Sequence, residues 1–467
     1  MDRSSHAERI GAFIAQANPR DLPDTIIEKA KRHVLDTFGA ALAGAGSDEA
    51  RAVRAMLQAS GGSGSAPIWG TKMLLAPRDA ALANGVAAHA LELDDTGGCD
   101  HSGAVVLPAA VSALTLADLP VSGAEFLLAV VLGYEVARRM LEAFGGYQPH
   151  NAAGWHSTGT CGVFGAAATA CRILRLKPAA CGAALGLSAS FAGGLWAFIH
   201  DGSQAKRVHA GRAAEGGLLA ALLARGGITG PARVFDDVWG GILPTLAHGP
   251  TNAEALVDGL GRAWRISRAA IKPYASCRGT HGAVDAVGAM MQDHAIASDA
   301  VIQVVVRLSP FLNGMCGGRD IRSLPAAQMS LPYAVAVRIA LGHANLSAYA
   351  ASWRKDETLR AMMDRVSLQV DAGMEPDAEP AVAIRTAAGR RFEAQVTAPL
   401  GAPDNPLSDA ALTAKFMELA GLTLPQEVSA RLRDTVMRLE VIQDARDLQT
   451  LIVPPMDSLD SPCGRAS

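Results

Sequence analysis

The run AVVLPAAVSALTLA at residues 104–117 carries no formal charge and is apolar on nearly every side of a helical wheel. A helix without a polar face must be covered all round, so it belongs inside a large core. Stretches nearby can cover it. Residues 124–144, 161–176 and 211–225 repeat the helical pattern, and small residues cluster in GVFGAAATA and GRAAEGGLLAALLA. Such clusters let helix axes approach closely. Upstream, Asp24 follows Pro23 as an N-cap, Ile27, Ala30, Val34, Phe38 and Ala41 share one face, and Gly44 and Gly46 end that helix. Helical signals thus dominate the first 265 residues.

The character changes after Ile271. VIQVVVRL (301–308) is β-branched and reads as a buried strand, and VSLQV (366–370) as a second. Residues 381–386 and 392–397 alternate on either side of AAGRR, a hairpin signal. Residues 324–341 read as one helix; Ser408 caps another, and 427–439 form a further one. The tail from Pro454, PPMDSLDSPCGRAS, lacks periodicity and is expected to be mobile at its end. The expected fold is mainly α. A large all-helical domain (1–268 and 401–467) carries a smaller inserted α/β lid domain (269–400).

Composition excludes several classes. The 467 residues hold 42 Lys+Arg against 45 Asp+Glu, a net charge of −3 with no basic block, so no nucleic-acid partner is expected. Only 8 of the 42 basic residues are lysine, so a lysine in an otherwise uncharged stretch stands out. The 7 cysteines form no CxxC and no disulfide framework. MDRSSHAERIGAFIAQ lacks the apolar region of a signal peptide, and a reducing cytoplasm is the expected compartment. Residues 178–200 are uncharged, but Ala, Gly and Ser dominate them, so they read as a core helix and loop and no membrane partner is expected. No GxGxxG after a strand, GxxxxGK[ST], HExxH or GxSxG occurs, and histidines and acids lack metal-ligand spacing. The expectation is no metal and no organic cofactor.

What remains is polar residues inside very apolar sequence. LELDDTGGCDHSGAVV places Glu92, Asp94, Asp95, Thr96, Asp100 and His101 in a glycine loop, with Ser102 as the cap of the next helix. A helix N-terminus favours neutral imidazole and carboxylates favour imidazolium, so opposing pulls hold His101 near neutrality, where acid–base catalysis works best. The bland alternative is a solvated loop. GWHSTGT (154–160) precedes a helix and reads either as a cap or as an anion site. In DGSQAKRVH (201–209), Lys206 lies in a helix's first turn, the wrong end for a cation, and this asks for a carboxylate partner, structural or substrate. Its SxxK match has no KTG or SDN companion and is set aside. In KPYASCRGTH (272–281), Arg278 can grip a carboxylate in two-point fashion, and Cys277 is either a thiol acidified by Arg278 or an inert buried one. Histidines, a lysine, an arginine and an acidic loop together suit the binding of a small polycarboxylate and the movement of a proton at carbon beside a carboxylate.

In this order and spacing, LDTFGAALAG (35–44), LDDT…HSGAVVLPA (93–109), GWHSTGT, GSQAKRVHAGRAA, KPYASCRGTH and SLPYAVA (330–336) resemble the MmgE/PrpD family. That family includes 2-methylcitrate dehydratase, cis-aconitate decarboxylase and iminodisuccinate epimerase. The resemblance implies a helical domain with an α/β lid, a homodimer, no cofactor, and an active site between the domains. It places Thr96, His101, His156, Lys206 and His281 in the pocket with Asp94 or Asp95 nearby. With His101, His156, Lys206 and His281 as catalytic, the substrate-binding set is Asp94, Asp95, Thr96, Gln204, Arg278 and Tyr333. Within this set His101 or His156 would transfer protons, while Lys206, Arg278 and His281 would hold carboxylates. Glu92 stands where the decarboxylases carry aspartate, the Thr96–His101 segment is one residue shorter, and SCRGTH is closer to the dehydratases and epimerase. The expectation is a lyase dehydrating a hydroxy-polycarboxylate, with epimerisation or decarboxylation as the alternatives and a catalytically silent binding protein behind them. Residues 272–281 span the domain junction, where a hinge would close the site over an anion.

Overall fold

Glycine-to-glycine contact lets the helices of the body pack closely. The computed structural model describes residues 4–455. In chain order the principal body helices are α1 (His6–Gln16), α2 (Asp24–Gly44), α3 (Pro77–His89), α4 (Gly103–Leu114), α5 (Gly123–Ala143), α6 (Gly162–Ile173), α7 (Pro178–Ser188) and α8 (Ala205–Arg225). Every residue of α4 is buried, as its unbroken apolar character requires. It lies among α2, α3, α5, α6 and α8. Where α3 crosses α8, a Cβ on Gly85 would sit 2.7 Å from the Gly211 Cα, and one on Gly211 would sit 2.4 Å from the Leu82 carbonyl oxygen. No larger residue fits at that crossing without moving backbone.

After Ile271 the chain forms α9 (His281–Asp293), β1 (Val301–Leu308), α10 (Leu331–Leu341), β2 (Val366–Val370), β3 (Ala381–Thr386) and β4 (Arg391–Gln395). The four strands make one sheet in the order β2-β1-β3-β4, with β1 and β2 parallel and the other pairs antiparallel. Val304 pairs with Val366 on one side and Ile384 on the other. Helix α9 packs on β3 and β4, and α10 on β2. The chain then returns to the body as α11 (Asp409–Ala420), packed on α2, and α12 (Gln426–Val436). A second hydrophobic cluster, centred on 275–384, also takes in Ala40, Ala43, Leu91 and Leu93 from the body.

Several local readings need correction. Val301–Leu308 is buried on one face only: Val304, Val306 and Leu308 point inward while Ile302 is 39% exposed, because helices cover a single side of the sheet. Residues 324–341 break into two helices, since Ser330 accepts from the Tyr333 N–H and caps a fresh start at Leu331. Asp24 is the first residue of α2, with Pro23 at the cap position and no side-chain cap. Ser102 does not cap α4; its hydroxyl accepts from the Cys99 N–H, and Asp95 accepts from the Gly103 N–H instead. The second strand of the hairpin starts at Arg391, and the helix read at 427–439 runs Gln426–Val436. Of the terminal stretch read as aperiodic, everything from Met456 lies outside the described residues. Among the described residues, no helix is long and apolar enough to cross a membrane.

The α3–α8 crossing supplies a stability prediction. Gly211→Val forces a side chain onto the Leu82 carbonyl and should cost about 1–3 kcal/mol. Gly46→Ala, whose Cβ would meet only ordinary contact, should stay within about 0.5 kcal/mol of the parent. Thermal unfolding of the two variants side by side checks this, and equal midpoints would contradict it.

Candidate active site

The loop between α3 and α4 carries the site, and its backbone is bent to do so. Glu92 has φ +53° and Asp100 φ +125°, conformations that side-chain-bearing residues seldom adopt. Strain of this kind persists only where surrounding contacts fix it. Those contacts are unusually strong at Glu92. Its buried carboxylate accepts from Lys206 Nζ, from Arg207 Nη1 at 2.7 Å and from Lys272 Nζ at 3.0 Å, while Lys272 also donates to the Glu92 carbonyl at 3.0 Å. Burial pushes the Glu92 carboxyl up, but Lys206, Lys272 and Arg207 together hold it well below the usual carboxylate range. Three cations against one carboxylate leave two positive charges in this buried group. Arg207 donates onward to Gln328, whose amide donates to the Leu91 carbonyl.

A second network sets histidine protonation. Asp94 Oδ2 lies 3.0 Å from His89 Nδ1 and 3.0 Å from His101 Nδ1, and the latter is also 2.9 Å from the Asp95 carbonyl oxygen. Oxygen acceptors at Nδ1 place a proton there, and Nε2 of His101 lies 3.5 Å from Asp100 Oδ2. Asp100 in turn accepts from the Thr96 hydroxyl. Burial lowers the His101 pKa, yet Asp100 and Asp94 overcome it and the net shift is upward. His89 goes the other way: burial pulls it down to about 3. His156, fully buried and edgewise against Trp196 and Phe198, is held well below its ordinary value by burial, then by Lys206 and His209. Its Nδ1 faces His209 Nδ1 at 3.1 Å, and its Nε2 is 3.8 Å from Asp100.

Beside these networks lies a cavity of 570 Å³. Thr96, Asp100, His101 and Lys206 form part of its wall from the body, and Cys277, Arg278 and Met315 from the other side. Arg138 and Arg268 also line it, as do the acidic Asp377 and Glu379. Arg278 is paired with Glu379 at 2.6 Å. The Cys277 thiol is pulled down to about 7, chiefly by its hydrogen bond with Cys316.

The expected site residues separate into three sets. Thr96, His101, Lys206 and Arg278 meet at the cavity wall. Asp94 and His156 stand directly behind His101. Asp95, Gln204, His281 and Tyr333 are placed elsewhere. The Asp95 carboxylate binds His33 Nδ1, the Gly103 N–H and the Tyr134 hydroxyl, and so anchors α4. Gln204 is exposed ahead of α8. Buried His281 faces the Ser276 carbonyl at 3.2 Å and stacks edgewise on Tyr274. Tyr333 is core, its hydroxyl donating to the Ala348 carbonyl. Sequence reasoning gave no role to Lys272, Arg207 or His89. Lys272 had a signal, as a rare lysine in uncharged surroundings, whereas His89 is hidden in an apolar helix end.

The family model described as the MmgE/PrpD N-terminal domain matches residues 8–254, and the MmgE/PrpD C-terminal domain matches residues 274–441. A cis-aconitate decarboxylase-like protein of Aspergillus oryzae, oryM, is 27% identical over 463 residues, 94% of this chain and 95% of that protein. A cis-aconitate decarboxylase of Aspergillus terreus is 29% identical over 467 residues, 94% of each chain. The cis-aconitate decarboxylase of Homo sapiens is 27% identical over 459 residues, 93% of this chain and 92% of its own.

The buried cation group predicts how Glu92 substitutions behave. Glu92→Gln keeps the shape but leaves three cations uncompensated, which should cost about 3–5 kcal/mol. A carboxyl depressed in the folded state gives its full stabilisation above its unfolded pKa and loses it as pH falls through the lower folded value. The gap in melting temperature between parent and variant should therefore hold steady between about pH 5 and 8. Scanning calorimetry across that range checks it; a gap that closes by pH 5 would contradict the assignment.

Proposed function

The chain belongs to the MmgE/PrpD family, and on that premise we propose a lyase that acts on a small polycarboxylate by proton transfer from His101. The observation that carries this reading is the state of one side chain. Among the described residues, His101 is the only histidine on the cavity wall, and its pKa is raised. An imidazolium there keeps its proton to higher pH than an ordinary histidine and can serve as the acid. Lys206 and Arg278, with Arg138 and Arg268, attract the carboxylates. Closure of 269–400 over the bound anion, and a homodimer as the working form, belong to the same proposal.

Two net reactions fit this acid. In dehydration, a base on the wall, the Asp100 carboxylate, takes the carbon-bound proton, the electron pair of that C–H bond forms the alkene, and the hydroxyl leaves as water with a proton from His101. In decarboxylation, the bond to one carboxylate breaks, carbon dioxide departs, and the electron pair is held on carbon by the neighbouring unsaturated carboxyl system until His101 Nε2–H protonates it. Decarboxylation needs one proton donor and dehydration two transfers. The single histidine at the wall and the names of the relatives favour decarboxylation of a cis-aconitate-type substrate as the second reading, despite Glu92 and the shorter loop. Epimerisation is less well served, because it calls for transfer groups on two faces.

Incubation with citrate, 2-methylcitrate, cis-aconitate and iminodisuccinate in deuterated water separates these outcomes. Alkene, carbon dioxide or deuterium exchange without net change identifies dehydratase, decarboxylase or epimerase. On the active substrate, His101→Ala should lower kcat by about 10²–10⁴-fold, and Lys206→Ala should mainly raise KM, by about tenfold or more. Interchanged effects would overturn the assignment. The acid also has a pH signature. Activity should fall as His101 loses its proton, at a pH above the ordinary histidine value of 6.5. Asp100→Asn removes the largest upward influence, so the alkaline limb should move to lower pH. A limb unmoved in that variant would assign the titration to another group.

A further inference from the structure

We propose that His89, His101 and His156 form a site for a divalent transition-metal ion, zinc(II) by choice, and that the bound ion inhibits the enzyme by occupying the nitrogen that transfers the proton. The inhibitory half rests on the function proposed above; the site itself does not. One nitrogen from each of the three buried rings lies within 4.8 Å of the other two. Two of the available nitrogens, His89 Nε2 and His156 Nε2, are buried without any hydrogen-bond partner. Protein interiors rarely leave polar atoms unsatisfied, so two orphan nitrogens within one buried histidine cluster leave a place for an occupant. His101 Nε2 has only Asp100, at 3.5 Å.

The opposite nitrogens are braced as metal-bound imidazoles are. Each Nδ1 has an orienting partner: Asp94 for His89, Asp94 and the Asp95 carbonyl for His101, and His209 for His156. Carboxylate or carbonyl contacts at the outer nitrogen fix tautomer and ring orientation and raise ligand basicity. Asp100 Oδ2, 3.5 Å from His101 Nε2 and 3.8 Å from His156 Nε2, is placed as an oxygen ligand. Zinc–nitrogen bonds of about 2.0–2.1 Å in a tetrahedron put ligand nitrogens about 3.3 Å apart, so ring rotations must draw the three together by at most about 1.5 Å. An imidazole-rich set selects zinc and its neighbours over calcium or magnesium, which take oxygen. The ion enters from the cavity, whose wall holds His101 and Asp100. On binding, it displaces the His101 Nε2 proton to solvent, and that nitrogen then has no proton to give.

The test uses the full chain without a histidine tag, dialysed against a chelator. Cobalt(II) chloride titrated into it should give the visible absorption of a low-coordinate cobalt–imidazole centre, saturating at one ion per chain. Zinc-edge X-ray absorption of the zinc-loaded protein should show the outer-shell scattering of three imidazoles within a nitrogen and oxygen shell at about 2.0–2.2 Å, and this needs no variant. His89→Gln should weaken zinc binding by about 10–100-fold or more, while His281→Gln should leave it unchanged. The rate on the active polycarboxylate should fall in proportion to zinc occupancy. No binding, or equal binding by His89→Gln, overturns the site. Binding without loss of rate, or zinc restoring a chelated enzyme, overturns the inhibition. Metal binding is read without turnover, so a chain inactive on every polycarboxylate would count against the proposed function alone.

Discussion

A single carboxylate with no exposed surface, that of Glu92, gathers Lys206, Arg207 and Lys272 from two distant parts of the chain. Charges so deeply buried are tolerable only when paired, and removing one partner leaves the rest exposed to the full desolvation cost. The interaction therefore fixes three things together: the strained loop between α3 and α4, the first turn of α8, and the segment that leaves the body at 272. It also explains why Lys206 and Arg207 can sit at the wrong end of a helix dipole. Because cations outnumber the carboxylate, the group remains positive, and Lys206 presents that charge to the cavity.

Proton chemistry is built on the same loop by a different device. Burial alone would neutralise every histidine in the cluster, as it does His89 and His156. His101 escapes because two carboxylates, Asp94 behind it and Asp100 beside it, offset that burial. Lys272, the same residue that clamps Glu92, acts on His101 in the opposite direction. The Glu92 clamp and the acid strength of His101 are thus linked through one lysine. A polycarboxylate entering the cavity would add negative charge near His101 and strengthen its hold on its proton.

The helical body was readable because its signals are local. The charge-free run at 104–117 had to be buried on all sides, and α4 is. The strand at Val301–Leu308 and the hairpin after it followed from β-branched alternation and a glycine turn. The lysine out of place at 206 correctly asked for a carboxylate, and the structure supplies Glu92. What the sequence hides is convergence. His89, His101 and His156 come from three segments with no metal-like spacing, so spacing rules are blind to their meeting. Tyr333 and His281 sit in motif-like sequence, yet their partners are backbone carbonyls of the core. Asp94 and Asp95 are adjacent in sequence and opposite in duty, one on His101 and one anchoring α4, because successive loop residues point apart.

The claim on which the rest turns is that one buried histidine, and only that one in its cluster, carries a proton near neutral pH. Imidazole ¹⁵N resonances of the histidine-labelled protein, assigned by loss of a signal in His101→Gln, measure this directly as pH is varied. His101 should titrate above the ordinary value of 6.5 while His89 and His156 stay neutral around it. A neutral His101 at every pH, or a protonated His156 in its place, would contradict it.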